Sequence, residues 1–196
     1  MPQIALPKPV RIRMSLEKVL QSRVSHHRYS NTSIPLMDIS SLLYHSLAEK
    51  KVGRRTYPSG GALFPIETYL IANAIGQLPR ALFHYVPSTH TLEQLWELPK
   101  VTKVFSEFRH AEWAEKAPAI FVLTGVWRRS HDSYGDFGYL LSILEAGHIA
   151  QNLLLCATAL NLASCPLAGF NDNEVQKLLD IDEESEQAVY TMAIGK

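Results

Sequence analysis

The sequence DFGYLLSILEAGHIAQNLLLCATALNL, residues 136–162, decides the fold of this chain. It contains no proline, its only glycines are Gly138 and Gly147, and it is rich in Leu and Ala. This composition predicts a single helix of about 26 residues and about 39 Å. Apolar residues occupy every face of its second half, so we expect burial on all sides. A chain of 196 residues can hardly supply that cover, and we therefore expect a second subunit to pack against the helix.

A membrane-spanning helix is the competing interpretation, because LLLCATAL is a continuous apolar run. Four polar residues interrupt the helix: Glu145, His148, Gln151 and Asn152. The uninterrupted run is shorter than the roughly 20 apolar residues that a bilayer requires, so we expect no membrane association. Glu145 and His148 are three residues apart and can bond each other on the helix surface.

Composition and charge exclude several classes of function. Lys plus Arg and Asp plus Glu both total 19, so no net charge steers the chain toward nucleic acid or anionic lipid. Cys156 and Cys165 lie nine residues apart without CxxC spacing, which favours a reducing cytoplasm. The histidines show neither H-x-x-x-H nor H-E-x-x-H spacing, so we expect no metal site.

The chain length predicts one domain, residues 15–196, preceded by an arm, residues 1–14. A chain of this length can bury about 70% of the surface that it exposes when unfolded. The arm carries basic residues but lacks the apolar segment of a signal peptide. We therefore expect an unprocessed arm.

Hydrophobic periodicity predicts the other elements. Helices are expected over residues 16–23, 38–50, 100–108, 111–116 and 172–179. Strands are expected over residues 67–73, 81–86, 90–96, 119–126 and 188–194, the first two as a hairpin. In the first helix Leu16, Val19 and Leu20 share one side. Polar links are expected at 127–135 and after residue 163. This irregular alternation favours an α+β sandwich over a doubly wound sheet.

Several sequence blocks resemble one known family. They are YPSGGALFPIETYLIA, ALFHYVPSTHTL, YGDFGYLLSILEAGHIAQNLLLCATALNLASCPLAGFND and a terminal IG. Together they make residues 23–195 similar to the nitroreductase-fold flavoproteins, and within them to the SagB-type dehydrogenases of azole-containing peptide biosynthesis. The resemblance implies an antiparallel-rich sheet flanked by helices. It also implies FMN as cofactor and a homodimer that pairs its long central helices, with both flavins at the interface.

Arg23, Ser25 and His27 alternate along a basic turn, so their side chains share one side of an extended chain. By resemblance to the family's R-x-S-x-R pattern, they would bind the flavin phosphate. Arg and hydroxyl donors suit such a dianion. His27 stands where Arg or Lys is usual, and Arg28 is a candidate to replace it. Lys196 is either a further phosphate ligand or only a terminus, and a solvated basic turn is the alternative for the whole segment.

Two further segments resemble parts of the family that hold the flavin ring through backbone amides. The first comprises Pro58, Ser59, Gly60 and Gly61, where glycine lets the backbone approach a planar ring. The second comprises Pro166, Leu167, Ala168 and Gly169. A plain Pro-Gly turn is the alternative for the first segment. No G-x-G-x-x-G motif supports a Rossmann fold.

Tyr134 is the candidate catalytic base, because the family carries a Lys-Tyr pair at this place for azoline oxidation. Ser133 stands where the Lys would be. A free Tyr has a pKa of about 10 and is a weak base at neutral pH unless a cation lies close. Three cationic residues nearby in sequence could replace the missing charge: Arg128, Arg129 and His131. The alternative for Tyr134 is a packing role in the core.

Three functions remain open from the sequence. The first is an FMN-dependent dehydrogenase that oxidises azolines to azoles, or performs a similar desaturation, on a ribosomally made peptide. The resemblance then implies a cyclodehydratase as partner. The second is an NAD(P)H-dependent nitro or quinone reductase of the same fold. The third is a flavin-free structural partner in a biosynthetic complex.

Overall fold

The computed structural model of the chain describes residues 2–99, 102–105, 111–182 and 184–196. Its helices are α1 (Leu16–Ser22), α2 (Leu36–Leu47), α3 (Trp127–Tyr134), α4 (Phe137–Ala159) and α5 (Asp172–Leu179). Its strands are β1 (Gln3–Ala5), β2 (Ile66–Ala72), β3 (Ala81–Val86), β4 (Thr91–Glu97), β5 (Ala119–Val126), β6 (Ala163–Leu167) and β7 (Glu186–Gly195). Short 3-10 turns lie at Gly60–Ala62 and Glu112–Lys116.

The described strands form one seven-stranded sheet in the order β1-β4-β3-β2-β5-β7-β6. Every neighbouring pair in it is antiparallel. The bounds of β3 and β5 agree with the sequence prediction, and β2 and β3 form the expected hairpin. The α+β sandwich is therefore confirmed.

Helices cover both faces of the sheet, which explains why β5 is a continuous apolar run. Phe121 and Leu123 pack into the cluster that contains residues of α2 and α4. Ile120 and Val122, which alternate with them, pack into the cluster that contains residues of α5. The strand is thus buried on both sides.

The long helix α4 is confirmed, but the location of its exposed surface differs from the prediction. Its second half is covered by the same chain, because Ile149, Leu153 and Leu154 are buried in the core. The exposed apolar residues lie in the first half: Phe137, Tyr139, Leu140, Ile143 and Leu144. We call these five residues the α4 face. Sequence periodicity could not tell which half the rest of the chain would cover.

Helix α4 is also long and apolar enough to cross a membrane, with 23 residues and a mean hydropathy of 1.4. The four polar residues of α4 therefore do not by themselves exclude a membrane-spanning helix. Core helices of soluble proteins can have the same length and hydropathy.

Two elements were missed by the sequence analysis. Residues 127–134 form α3 rather than a polar link. Helix α3 packs closely on α4 because Gly138 has no side chain: a Cβ on Gly138 would lie 2.7 Å from the Ser130 carbonyl carbon. Residues 163–167 form the edge strand β6 rather than a loop. Pro166 obscured this strand, since proline is tolerated in sheets mainly at edges.

Smaller differences concern the predicted helices. In α1 only Val19 is buried, while Leu16 and Leu20 are exposed, so the predicted apolar side is not a core contact. Helix α2 begins at Leu36, before the predicted start at residue 38. The helix predicted over 100–108 falls mostly outside the described residues.

The arm at residues 1–14 is attached to the domain through its described residues. Strand β1 pairs with β4 at the edge of the sheet. Further along the arm, the Val10 amide donates to Ser41 Oγ at 2.9 Å, and the Val10 carbonyl oxygen lies 2.8 Å from His45 Nε2. These contacts fix the arm against α2.

Candidate functional site

Residues 58–65 form a tight turn that leads into β2. Gly61, Ala62 and Phe64 all have positive φ, at 60°, 55° and 49°. Only glycine adopts such angles without cost, so the turn is strained at Ala62 and Phe64. Ser59 Oγ accepts a hydrogen bond from the Phe64 amide at 2.9 Å and closes the turn. We call residues 58–65 the glycine turn.

The glycine turn packs against the start of α4 and the end of α3. A Cβ on Gly61 would lie 2.8 Å from Tyr134 Oη, and a Cβ on Gly60 would lie 3.0 Å from Leu141 Cδ1. Tyr134 is 41% exposed, so its ring is not a core anchor. The structure thus brings the candidate base into contact with the predicted ring-binding turn.

The three basic residues near Tyr134 in sequence all lie close to carboxylates. Arg128 Nε lies 3.7 Å from Asp132 Oδ2, Arg129 Nη1 lies 2.6 Å from Glu67 Oε1, and His131 Nε2 lies 3.8 Å from Asp136 Oδ1. Arg129 also donates to the carbonyl oxygen of Phe64 at 3.0 Å. It therefore holds the glycine turn from the α3 side. Ser133 is exposed next to Tyr134.

The basic turn after α1 lies against β6. The His26 amide donates to the Ser164 carbonyl oxygen at 2.9 Å, and the Ser164 amide donates to His26 Nδ1 at 3.3 Å. Burial raises the pKa of the Cys165 thiol, while Ser25 and Arg23 beside it act in the opposite direction. Arg23 and Ser25 therefore share one side of the turn, next to β6.

His26 and Arg28, which alternate with Arg23, Ser25 and His27 along the turn, face a cavity of about 560 Å³ at the end of α4. Lys18 of α1 and Lys196 also line this cavity. Lys196 Nζ also lies 3.5 Å from Asp38 Oδ2. Lys18 was not among the predicted site residues, although its positive charge lies one helical turn before Ser22 and close to the basic turn in sequence.

His27 has an aromatic partner. Its ring stacks on Trp113 with centroids 4.8 Å apart. His27 is exposed, as are Ser25 and Arg28. Of the three residues predicted for a phosphate, Ser25 and His27 are therefore exposed and Arg23 is half-buried, and His27 is oriented by Trp113.

The second predicted amide segment is only partly a loop. Pro166 and Leu167 belong to β6, paired with Met192 and Thr191 of β7. Ala168 and Gly169 follow the strand, and Ala168 is exposed. The prediction that residues 166–169 form a loop is wrong for its first half, because the edge strand β6 includes Pro166 and Leu167.

The predicted site residues form two groups at opposite ends of α4. The turn group, residues 58–61 with Ser133 and Tyr134, packs near Leu141. The terminal group, comprising the basic turn, residues 166–169 and Lys196, lies around β6 and a cavity that Thr158 lines. Seventeen residues of helix separate Leu141 from Thr158, or about 25 Å. The two groups of one chain therefore do not converge.

Glu145 was not chosen from the sequence, yet it is the most unusual charged residue near the turn group. It is 1% exposed, and neither carboxyl oxygen has a hydrogen-bond partner among the described residues. The predicted bond to His148 is therefore absent. Burial raises the pKa of Glu145 to about 7. The Ser59 hydroxyl and the Ile66 amide lie near enough to limit this rise, but neither has the geometry of a hydrogen bond.

Sequence comparison identifies the family of this fold. The family model described as the nitroreductase family matches residues 20–196. The chain belongs to the nitroreductase family. Members of this family generally bind flavin, and the family points to an oxidoreductase. Its fold is typically that of soluble proteins.

Two relatives illustrate the range of this nitroreductase family. MJ1384 of Methanocaldococcus jannaschii, which carries a provisional nitroreductase name, is 28% identical over 183 residues, 92% of this chain and 91% of that protein. The microcin B17-processing protein McbC of Escherichia coli is 26% identical over 184 residues. That match covers 82% of this chain and 66% of McbC, so this chain spans about two thirds of McbC.

Solved structures of nitroreductase-family proteins show the same fold. A protein from Ralstonia eutropha superposes with a TM-score of 0.82 at 24% identity, covering 99% of this chain and 89% of that chain. A chain of the E. coli microcin synthetase McbBCD complex, with truncated pro-MccB17 bound, gives a TM-score of 0.77 at 22% identity. That match covers 95% of this chain and 74% of the other.

Proposed function

We propose that this nitroreductase-family protein is an FMN-dependent dehydrogenase of the SagB type. Its reaction would be the oxidation of azolines to azoles, or a similar desaturation, on a ribosomally made peptide. We further propose a cytoplasmic homodimer that works beside a cyclodehydratase. The observation that carries the proposal is the contact of Tyr134 with Gly61, which puts a candidate base against a candidate ring-binding turn. The similarity to McbC, named as a microcin B17-processing protein, supports it.

The residues present fit a flavin mononucleotide. Arg23 and Ser25, on one side of the basic turn, supply a cationic and a hydroxyl donor suited to the phosphate. The glycine turn exposes backbone at Gly61, and a Cβ there would collide with Tyr134 Oη at 2.8 Å. When bound, FMN supplies a two-electron acceptor at its N5 atom. The chain itself must orient the substrate, exclude water and accept a proton.

A second subunit would complete this site. The turn group and the terminal group are about 25 Å apart along α4, so a single flavin reaches both only if they come from different subunits. The α4 face is exposed in the single chain and lies beside the turn group. Pairing two α4 faces would bury this apolar surface beside the turn group of each subunit.

Tyr134 would take the proton that leaves the azoline ring carbon, and bound FMN would supply the acceptor for the two electrons. General base catalysis of this kind contributes typically 10²–10⁴-fold. The family's Lys is Ser133 here, and Arg128, Arg129 and His131 are engaged elsewhere. Any added activation of Tyr134 would therefore come from the substrate, the flavin or the other subunit.

An NAD(P)H-dependent nitro or quinone reductase is the second candidate. The absence of the Lys at Ser133 favours it, as does the provisional nitroreductase name of MJ1384. A protein from Staphylococcus epidermidis that is named as an NAD(P)H:FMN oxidoreductase has the same fold, with a TM-score of 0.68 at 14% identity.

The absorption spectrum of the purified protein is the first test. A bound flavin gives a yellow protein, whereas a colourless protein that FMN does not stabilise would contradict both enzymatic proposals and favour a flavin-free structural partner. Anaerobic mixing then separates the two enzymes. A dehydrogenase flavin is bleached by an azoline-containing peptide, and a reductase flavin is bleached by NAD(P)H.

A further inference from the structure

Glu145 lies beneath the glycine turn and has no role in the proposed reaction. We propose that Glu145 is a positioning residue whose protonation state sets the conformation of the glycine turn, so that FMN binds less tightly when the carboxyl group ionises. This inference rests on the proposed function only in assigning the flavin to the turn. The effect on the turn itself stands without it.

The first argument is the burial of the carboxyl group. Both oxygens are enclosed and lack hydrogen-bond partners among the described residues. An ionised carboxylate in such surroundings is costly, whereas a neutral carboxyl group is tolerated. The native packing around Glu145 therefore suits the neutral form.

The second argument is the engagement of the nearby charges. The charged and titratable groups that act on Glu145 from other elements are Arg55 and Tyr57 before the turn and Arg129 on α3. Arg55 Nη1 donates to Tyr57 Oη at 2.7 Å, and its guanidinium lies 4.3 Å from the centre of the Phe64 ring. Arg129 is paired with Glu67. Neither cation is available to Glu145 without breaking an existing contact.

The third argument is that the turn can respond. Its closing bond joins Ser59 Oγ to the Phe64 amide, and Ser59 is the side chain that faces Glu145. Ionisation would draw the Ser59 hydroxyl or Arg55 toward the carboxylate. Either movement would loosen a turn already strained at Ala62 and Phe64. Gly61 would then move relative to Tyr134.

Hydrogen exchange of the flavin-free protein tests the turn directly. Amides of residues 59–66, apart from Pro65, are compared at pH 6 and pH 8 after correction for intrinsic rates. We expect greater opening at pH 8 in the wild type and no pH difference in Glu145→Gln, which is permanently neutral. Equal protection at both pH values in the wild type would overturn the inference.

FMN titration then tests the link to binding. If only the neutral form binds, ionisation of Glu145 weakens FMN binding about tenfold between pH 6 and pH 8. The FMN phosphate also ionises at about pH 6, so the quantity compared is the ratio of the wild-type dissociation constant to that of Glu145→Gln at each pH. Glu145→Met, which is neutral and similar in size, replaces Gln if that variant does not fold. A ratio that does not change from pH 6 to pH 8 would refute the proposal.

Glu115→Gln is the matched control. The carboxylate of Glu115 is also partly buried with a raised pKa caused by burial, but Thr102 and the Phe105 amide hydrogen-bond to it. Its replacement should leave the pH dependence of the glycine turn as in the wild type. A protein that binds no FMN at any pH would refute the proposed function, while hydrogen exchange would still decide the role of Glu145.

Discussion

At the scale of single residues, substitution of Tyr134 is the most direct test of the proposed chemistry. Tyr134→Phe removes only the hydroxyl group beside Gly61, so we expect flavin content to be retained and turnover to fall by about 10²-fold or more. Stopped-flow reduction of the bound flavin by substrate measures this. Tyr44→Phe is the control, because Tyr44 lies on α2 outside both groups of site residues and packs on His90. An undiminished rate in Tyr134→Phe would remove Tyr134 from the mechanism.

Glu145 gives the second prediction at this scale, a pH dependence of stability. Its pKa rises from an ordinary 4.5 to about 7 on folding. The unfolded chain therefore releases the proton first, and stability falls as pH rises from about 4.5 to about 7. Between pH 5 and pH 8 the loss from this group is on the order of 2–3 kcal/mol. Urea unfolding should show that Glu145→Gln lacks this loss. An identical pH dependence in both proteins would contradict the burial argument.

At the scale of elements, the glycine turn is the feature most sensitive to side chains. Gly61→Asp places a charged side chain against Tyr134 Oη at a positive φ, so we expect loss of flavin binding. Gly53→Asp has a similar φ of 70° but meets nothing within 4 Å, and it should bind FMN normally. Flavin fluorescence titration of both variants checks this. Full flavin occupancy in Gly61→Asp would show that the ring does not lie at this turn.

The elements also show what periodicity can and cannot predict. It identified α4 and β5, because long apolar patterns leave little choice of structure. It missed α3, whose sequence is polar and whose one buried residue is Ser130. It missed β6 because Pro166 is unusual in a strand. The contact of Tyr134 with Gly61 and the isolation of Glu145 depend on tertiary packing, and no local pattern encodes either.

At the scale of the whole molecule, the α4 face predicts a dimer. Burying a Leu side chain contributes about 1.5–3 kcal/mol, so Leu144→Glu should yield monomers and, with them, loss of bound flavin. Light scattering after size exclusion measures the mass. Val52→Glu, at a residue 99% exposed outside this face, should remain dimeric. A Leu144→Glu protein that stays dimeric and yellow would show that another surface joins the subunits.

The two borders of the sheet have a consequence for solubility. One border is β1, only three residues long, and the other is β6, where Pro166 lacks an amide hydrogen. Neither offers the long row of free backbone donors on which a foreign strand could grow. A protein made at high concentration should therefore resist forming fibrils through its native state. Trimming the first residues would uncover β4, and that is where such growth would begin.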